Sequence, residues 1–123
     1  MPDNRVPVYY KGGGGIDKFR VEPGDFSGPE DWVGSLTRLP ESMMGGDMSH
    51  DVGMSTTLES ESLRNLVDND PQGWLGQKLA DHFGGESGLL VKILDAGERL
   101  PVHCHPTRSF AARNLASVFG KTE

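Results

Sequence analysis

The chain has 123 residues, of which 35% are hydrophobic and 24% charged, and its formal net charge is −6 at pH 7. This acidic balance argues against nucleic acid or an anionic membrane surface as the main partner. No apolar stretch approaches the roughly 20 residues that a membrane-spanning helix needs, and a single cysteine excludes an intrachain disulfide. We therefore expect one small domain in the reducing cytoplasm.

The first half of the chain contains three predicted strands, separated by turns rich in glycine and proline. Alternation of apolar and polar side chains places these strands at residues 6–10, 17–22 and 30–38. Glycine accounts for 17 residues, about twice the usual share of ~7%, which favours an all-β architecture over a helical bundle. The run Gly12 to Gly15 is either a flexible turn or a backbone nest near a substrate phosphate.

Residues 60–84 predict two short helices that pack against the rest of the domain. Leu63, Leu66 and Val67 share one helical face, with Ser60 as a candidate N-cap. Pro71 suits the first position of the second helix, which a pair of glycines at 84 and 85 ends. Residues 41–57 have no clear period and predict a loop.

The most informative stretch follows the apolar run 89–94, which predicts a buried strand. Gly97 interrupts the run, and a second strand is predicted to continue through Val102. In a strand His103 and His105 point to the same side, roughly 7 Å apart at Cα, so both can reach one zinc, iron, nickel or copper ion. A surface pair or two hydrogen-bonded core histidines remain alternatives.

A short helix is predicted over residues 107–119, directly after the histidines. Its apolar positions share one side, and Gly120 ends it. Arg108 lies beside the predicted metal site, where an arginine in an acidic chain is a candidate phosphate clamp. A solvated helix face is the other interpretation of this arginine.

Two features of this region resemble known families. The segment from Gly97 to His105 contains a glycine, five intervening residues, a histidine, one intervening residue and a second histidine. This spacing resembles the opening of the first metal motif of cupin barrels. The segments 89–96, 105–106 and 120–123 resemble the "KILDA", "HP" and "GKTE" segments of the cupin-type (class I) mannose-6-phosphate isomerases. Looser matches lie around Trp32 and in residues 63–83.

The resemblance implies a mainly β fold: an incomplete cupin-like (jelly-roll) β-barrel with a few short helices. Residues 1–123 are then the N-terminal portion of one isomerase domain, apparently truncated because the barrel's later strands are missing. Residues 60–84 correspond to a helical insertion, and residues 88–123 to the metal-motif strands and helix.

The resemblance also implies a site. Its metal ligands are His103, His105 and Glu123, although His103 stands where the family usually has glutamine, and the expected metal is zinc or another divalent ion. Lys121 is the implied catalytic residue. Trp32 and Ser35 are implied to contact a small phosphorylated sugar, together with Arg108; a core tryptophan and a surface serine are the plainer interpretations of the first two.

The implied reaction is the interconversion of mannose 6-phosphate and fructose 6-phosphate through an enediol. Two alternatives stay open: a metal-binding cupin of another class, such as a sugar-binding or regulatory protein or a dioxygenase, and a non-catalytic fragment. The residues do not indicate an oligomeric state.

Overall fold

A computed structural model of the chain describes residues 2–20, 28–40, 51–116 and 120. Within these ranges the chain forms three strands and five short helices. The strands are β1 (Arg5–Val6), β2 (Glu30–Val33) and β3 (Val91–Leu94). The helices are α1 (Gly15–Phe19), α2 (Leu63–Asn69), α3 (Pro71–Leu75), α4 (Gln77–Phe83) and α5 (Arg108–Asn114).

The three strands form one antiparallel sheet in the order β1-β2-β3. Strand β2 is central, and Trp32 of β2 lies opposite Lys92 of β3. A small core packs on the sheet, made of Val6, Trp32 and Leu39 with further apolar side chains around them. The predicted strand at 30–38 is shorter than expected because Gly34 adopts a positive φ of 60°, which turns the chain after Val33.

The prediction of a strand at 17–22 is wrong over its described part. Residues 17–19 belong to helix α1, and residues 21 and 22 lie outside the described ranges. The carboxylate of Asp95 accepts hydrogen bonds from the backbone N–H groups of Gly15 and Ile16, at 2.5 and 3.3 Å. An acceptor distant in the sequence therefore caps the N-terminus of α1, where no local side chain does so. Ile16 is the buried residue of this helix.

The helical prediction for residues 60–84 is confirmed, with three helices in place of two. The N-cap of α2 is Ser62 and not the predicted Ser60. Ser60 precedes the helix and adopts a positive φ of 63°. Pro71 begins α3 as expected, with the Asp70 side chain as cap. Gly76, at φ 79°, divides the predicted second helix into α3 and α4 because its backbone leaves the helical region.

The C-terminal part differs from the prediction at two points. The strand predicted to be buried is largely exposed, with Val91 at 59% and Leu94 at 56%, because β3 is an edge strand of the described sheet. Strand β3 occupies most of the predicted run 89–94, but residues 95–107, all of them described, contain no second strand. Thr107 caps helix α5, and the predicted helical residues 117–119 lie outside the described ranges. The histidines therefore stand on an irregular segment between β3 and α5.

The mainly β character that glycine content indicated is not observed, because helices outnumber strands in the described ranges. Glycine here mainly serves turns, helix ends and close backbone approaches, which composition alone does not distinguish from the turns of a β-barrel. None of the helices in these ranges has the length and apolar character needed to cross a membrane.

Candidate functional site

The side chains of His103 and His105 lie against each other on the irregular segment. Their ring centroids are 5.0 Å apart, and the ring planes meet at 62°. Two imidazoles bound to one tetrahedral ion through bonds of about 2 Å have centroids roughly 5 Å apart. The pair thus has a separation that fits a shared ion, although it does not stand on the predicted strand.

One hydrogen bond defines the tautomer of His103. Its Nδ1 lies 2.9 Å from the carbonyl oxygen of Pro101, which can only accept, so Nδ1 carries the proton. In a neutral ring with this hydrogen bond, Nε2 is the nitrogen that carries the lone pair. Metal-binding histidines commonly donate their second ring nitrogen to a carbonyl in this way, which fixes the orientation of the ring.

The remaining predicted ligand, Glu123, and the predicted catalytic residue, Lys121, fall outside the described residues. Within the described ranges, no group of three or more His, Cys, Asp or Glu side chains could hold a metal ion. Cys104 is exposed between the two histidines. The described part therefore brings two imidazoles together, a donor type that suits zinc, iron, nickel or copper alike.

The predicted sugar-contacting residues of the first half are buried. Trp32 is 6% exposed in the core, and its indole N–H donates to Glu30 Oε2 at 2.8 Å. Ser35 is 1% exposed; its hydroxyl accepts from the Thr37 N–H at 3.0 Å and contacts the Thr37 carbonyl oxygen at 3.2 Å. The polar atoms of both side chains thus have partners within the protein.

Ser55 links these two positions. Its hydroxyl accepts from the Ser35 backbone N–H at 2.9 Å and donates to the Trp32 carbonyl at 3.0 Å. The Asn4 amide adds bonds to the same hydroxyl and to the Trp32 carbonyl. Trp32 and Ser35 therefore belong to one rigid region, whereas Arg108 is exposed at the start of α5, three residues after His105.

The Trp32 indole is bonded to a buried carboxylate, Glu30, which the sequence analysis did not single out. Glu30 is 5% exposed and accepts three hydrogen bonds from side chains. The donors are the Tyr10 hydroxyl at 2.7 Å, the Trp32 indole at 2.8 Å and the Lys92 ammonium at 3.1 Å. One signal was available: a lysine inside an apolar strand predicts a charged partner, because a buried ammonium is costly without one.

The surroundings of Glu30 shift the pKa values of two groups, Glu30 itself and Tyr10. Burial alone would raise the pKa of Glu30, but the bonds from Trp32, Tyr10 and Lys92 outweigh it and hold that pKa below its usual range. Burial, followed by the bond to Glu30, raises the pKa of Tyr10 above its usual range. Glu30 is therefore charged and Tyr10 neutral near pH 7.

The glycine run suggested as a phosphate nest already contacts an anion of the chain itself. As described for α1, the N–H groups of Gly15 and Ile16 bind the Asp95 carboxylate. A cavity of about 570 Å³ lies beside the run, with Arg5, Lys11 and Asp17 among its lining residues. Arg5 is bound to Asp17 at 2.7 Å, so its charge is balanced within the chain.

Comparison with known proteins identifies the family. The family model described as "Phosphomannose isomerase type I, catalytic domain" matches residues 31–118, well over half of the chain. The chain belongs to this family, whose members are mannose-phosphate isomerases acting on a phosphorylated sugar. No curated protein and no solved structure matches the chain. The matched range contains Trp32, Ser35, His103, His105 and Arg108, and ends before Lys121.

Proposed function

We propose that this chain takes part in the metal-dependent interconversion of mannose 6-phosphate and fructose 6-phosphate. The observation that carries the proposal is the pair His103 and His105, which stands inside the family match with its rings 5.0 Å apart. The tautomer of His103 supports it, since the hydrogen bond to Pro101 leaves Nε2 free to bind a cation.

The proposed metal ligands are His103 and His105, with Glu123 as the third, and zinc is the proposed ion. Two imidazoles and a carboxylate form a common zinc ligand set that leaves a position open for substrate. When bound, the ion would polarise the sugar oxygens and so favour loss of the neighbouring C–H proton. An incomplete cupin-like barrel, with residues 1–123 as the N-terminal portion of one isomerase domain, is part of the same proposal.

The isomerisation moves a proton between C1 and C2 of the sugar, so it requires a group that accepts and returns that proton. We assign this work to the Nζ atom of Lys121, two residues before the proposed ligand Glu123. The neutral amine would take up the proton, and the ammonium so formed would favour the negative charge on the sugar oxygens until the proton is returned. The cytoplasm is the proposed location, because phosphorylated sugars are metabolites of that compartment.

Three residues are proposed to contact the phosphorylated sugar, and they differ in how exposed their side chains are. Arg108 is exposed at the start of α5, close in sequence to His105, and suits the phosphate group. Trp32 and Ser35 are buried, and their polar atoms have partners within the protein. Contact through these atoms would require those hydrogen bonds to be exchanged, so Arg108 is the first residue to test.

The experiment has a binding arm and an activity arm. Zinc is titrated calorimetrically into the wild type and into His103→Ala and His105→Ala, and each protein is assayed for conversion of mannose 6-phosphate to fructose 6-phosphate. We expect zinc binding and chelator-sensitive conversion in the wild type, and loss of both in the two variants. His82→Ala is the matched control, because His82 is exposed on α4 and stacks on Phe83.

The two arms separate the alternatives. Zinc binding without conversion would favour a metal cupin of another class, and a panel of sugars with iron in place of zinc would then follow. A wild type that neither binds zinc nor converts the sugar would overturn the proposal for this chain and leave a non-catalytic fragment.

A further inference from the structure

Two segments about eighty residues apart in the sequence meet beside the histidine segment. Residues 11–16 and 95–98, together called the clasp below, are joined by a series of hydrogen bonds. These bonds include Gly13 N to Asp95 O at 3.1 Å, Gly97 N to Lys11 O at 2.8 Å, Gly15 N to Asp95 Oδ2 at 2.5 Å and Lys11 N to Glu98 Oε1 at 3.0 Å. The clasp therefore fixes the chain just beyond β3.

Asp95 is the centre of the clasp because both its backbone and its side chain take part. Its carboxylate caps helix α1, its carbonyl accepts from Gly13, and its own N–H donates to Pro29 at 2.9 Å. A Cβ atom on Gly13 or on Gly15 would lie 2.9 or 3.0 Å from Asp95 Oδ1. Glycine is thus needed at these positions for the carboxylate to approach the backbone.

The clasp ends shortly before the histidine pair. His103 follows Glu98 by five residues, and residues 99–106, all described, contain no helix or strand. A structured element borders this segment at each of its two ends. One end is the clasp, and the other is helix α5, which is capped by Thr107 and anchored by the buried side chain of Ala111.

We propose that Asp95 is a positioning residue for His103 and His105, acting through the clasp on the start of their segment. It is not itself a ligand in this arrangement, because no group of three His, Cys, Asp or Glu side chains among the described residues, Asp95 with the two histidines included, could hold a metal ion. The inference rests on the proposed function only for the identity of the bound ion. The dependence of the histidine positions on Asp95 is a property of the protein without metal.

The test compares Asp95→Ala, Asp95→Asn and Gly15→Ala with the wild type. Asp95→Ala removes the cap, Asp95→Asn keeps one acceptor oxygen, and Gly15→Ala crowds the carboxylate without changing its charge. The control is Asp81→Asn, because Asp81 is exposed on α4 and bonds only to Gln77 among the hydrogen bonds described. Circular dichroism establishes that each variant is folded.

Two readouts are taken on each protein. Amide hydrogen exchange at residues 13, 15 and 16 reports on the clasp, and the ring ¹H–¹⁵N signals of His103 and His105 with their mutual NOEs report on the pair. Zinc affinity is measured alongside. For Asp95→Ala we expect faster exchange, weaker NOEs between the rings and a lowered zinc affinity, by no more than the roughly 10- to 100-fold that follows loss of a group bonded directly to a ligand. Asp95→Asn should be intermediate and Asp81→Asn unchanged.

One result would overturn the inference, whether or not zinc binds. In it, Asp95→Ala is folded and exchanges its clasp amides faster, but the ring signals and NOEs of the two histidines are unchanged. If the wild type binds no zinc, the proposed function fails, and the NMR readout still decides the role of Asp95. If Asp95→Ala does not fold, Gly15→Ala and Asp95→Asn decide it by the same criteria.

Discussion

Lys92 Nζ lies 3.1 Å from Glu30 Oε2, so an ion pair joins the central strand β2 to strand β3. Glu30 is 5% exposed and also receives the Tyr10 hydroxyl and the Trp32 indole N–H. A buried carboxylate with three donors is stabilising only while all the donors are in place, because the charge has lost its water. This relationship ties the predicted sugar-contacting residue Trp32 to the strand that leads to the histidines.

Glu30→Gln tests that ion pair. The substitution leaves the Lys92 ammonium without its charged partner and removes one acceptor oxygen, so we expect the free energy of unfolding to fall by about 2 kcal/mol. Urea unfolding followed by Trp fluorescence measures it. Glu59→Gln, at an exposed position, is the control and should change the free energy little. Equal stability of Glu30→Gln and the wild type would contradict the role assigned to Glu30.

The lowered pKa of Glu30 predicts a specific dependence of stability on pH. An unperturbed glutamate has a pKa of 4.5, and that of folded Glu30 is lower, so the unfolded chain takes up this proton first as the pH falls. The contribution of Glu30 is complete above the unfolded pKa and is lost as the pH falls through the folded pKa. Unfolding free energies of the wild type and Glu30→Gln, measured at a series of pH values, should converge on acidification; a constant difference would refute this.

Gly53 allows the tight approach of the chain to the Trp32 ring. Its φ is +95°, and an added Cβ would lie 2.8 Å from Trp32 Cζ3 and 2.9 Å from the Thr37 carbonyl oxygen. Gly53→Ala should therefore destabilise the protein by about 2–3 kcal/mol, through strain and overpacking together. Gly88→Ala separates the two causes, because Gly88 has a φ of +67° but no heavy atom of the described residues would lie within 4 Å of its added Cβ. Similar losses of stability in both variants would show that packing against Trp32 contributes little.

Arg108→Ala tests the proposed phosphate contact in a protein that converts mannose 6-phosphate. Because the phosphate does not change during the isomerisation, its contact contributes about equally to substrate and transition state. We expect KM to rise about tenfold or more, since a charge-assisted hydrogen bond is worth roughly 1.5–3 kcal/mol, while kcat changes little. Lys78→Ala, at an exposed site on α4, is the control for loss of a positive charge. An unchanged KM for Arg108→Ala would remove Arg108 from the site.

Several features followed from short stretches of sequence. Pro71 begins a helix because its missing N–H costs nothing there, and the glycine at position 84 ends the helical region. The apolar run before Asp95 forms a strand, and the two histidines lie close together, although on an irregular segment and not on the strand that was predicted. Resemblance of the same stretches to cupin-type isomerases named the family that the comparison then identified.

Other features depend on residues that are distant in the sequence. Polar and apolar residues alternate over 18–21 as in a strand, yet residues 15–19 form a helix whose first turn Asp95 caps from about eighty positions away. Glu30 acquires Lys92 as a partner only when β3 pairs with β2, and the Ser35 N–H finds its acceptor in Ser55, twenty residues further along the chain. Local periodicity records which face of a segment is apolar, but it cannot record which distant acceptor will satisfy a backbone N–H or a buried charge. The sequence by itself therefore determined the family, through its resemblance to known segments, whereas the tertiary structure decided the partners of Glu30 and Asp95 and the irregular backbone of the histidine segment.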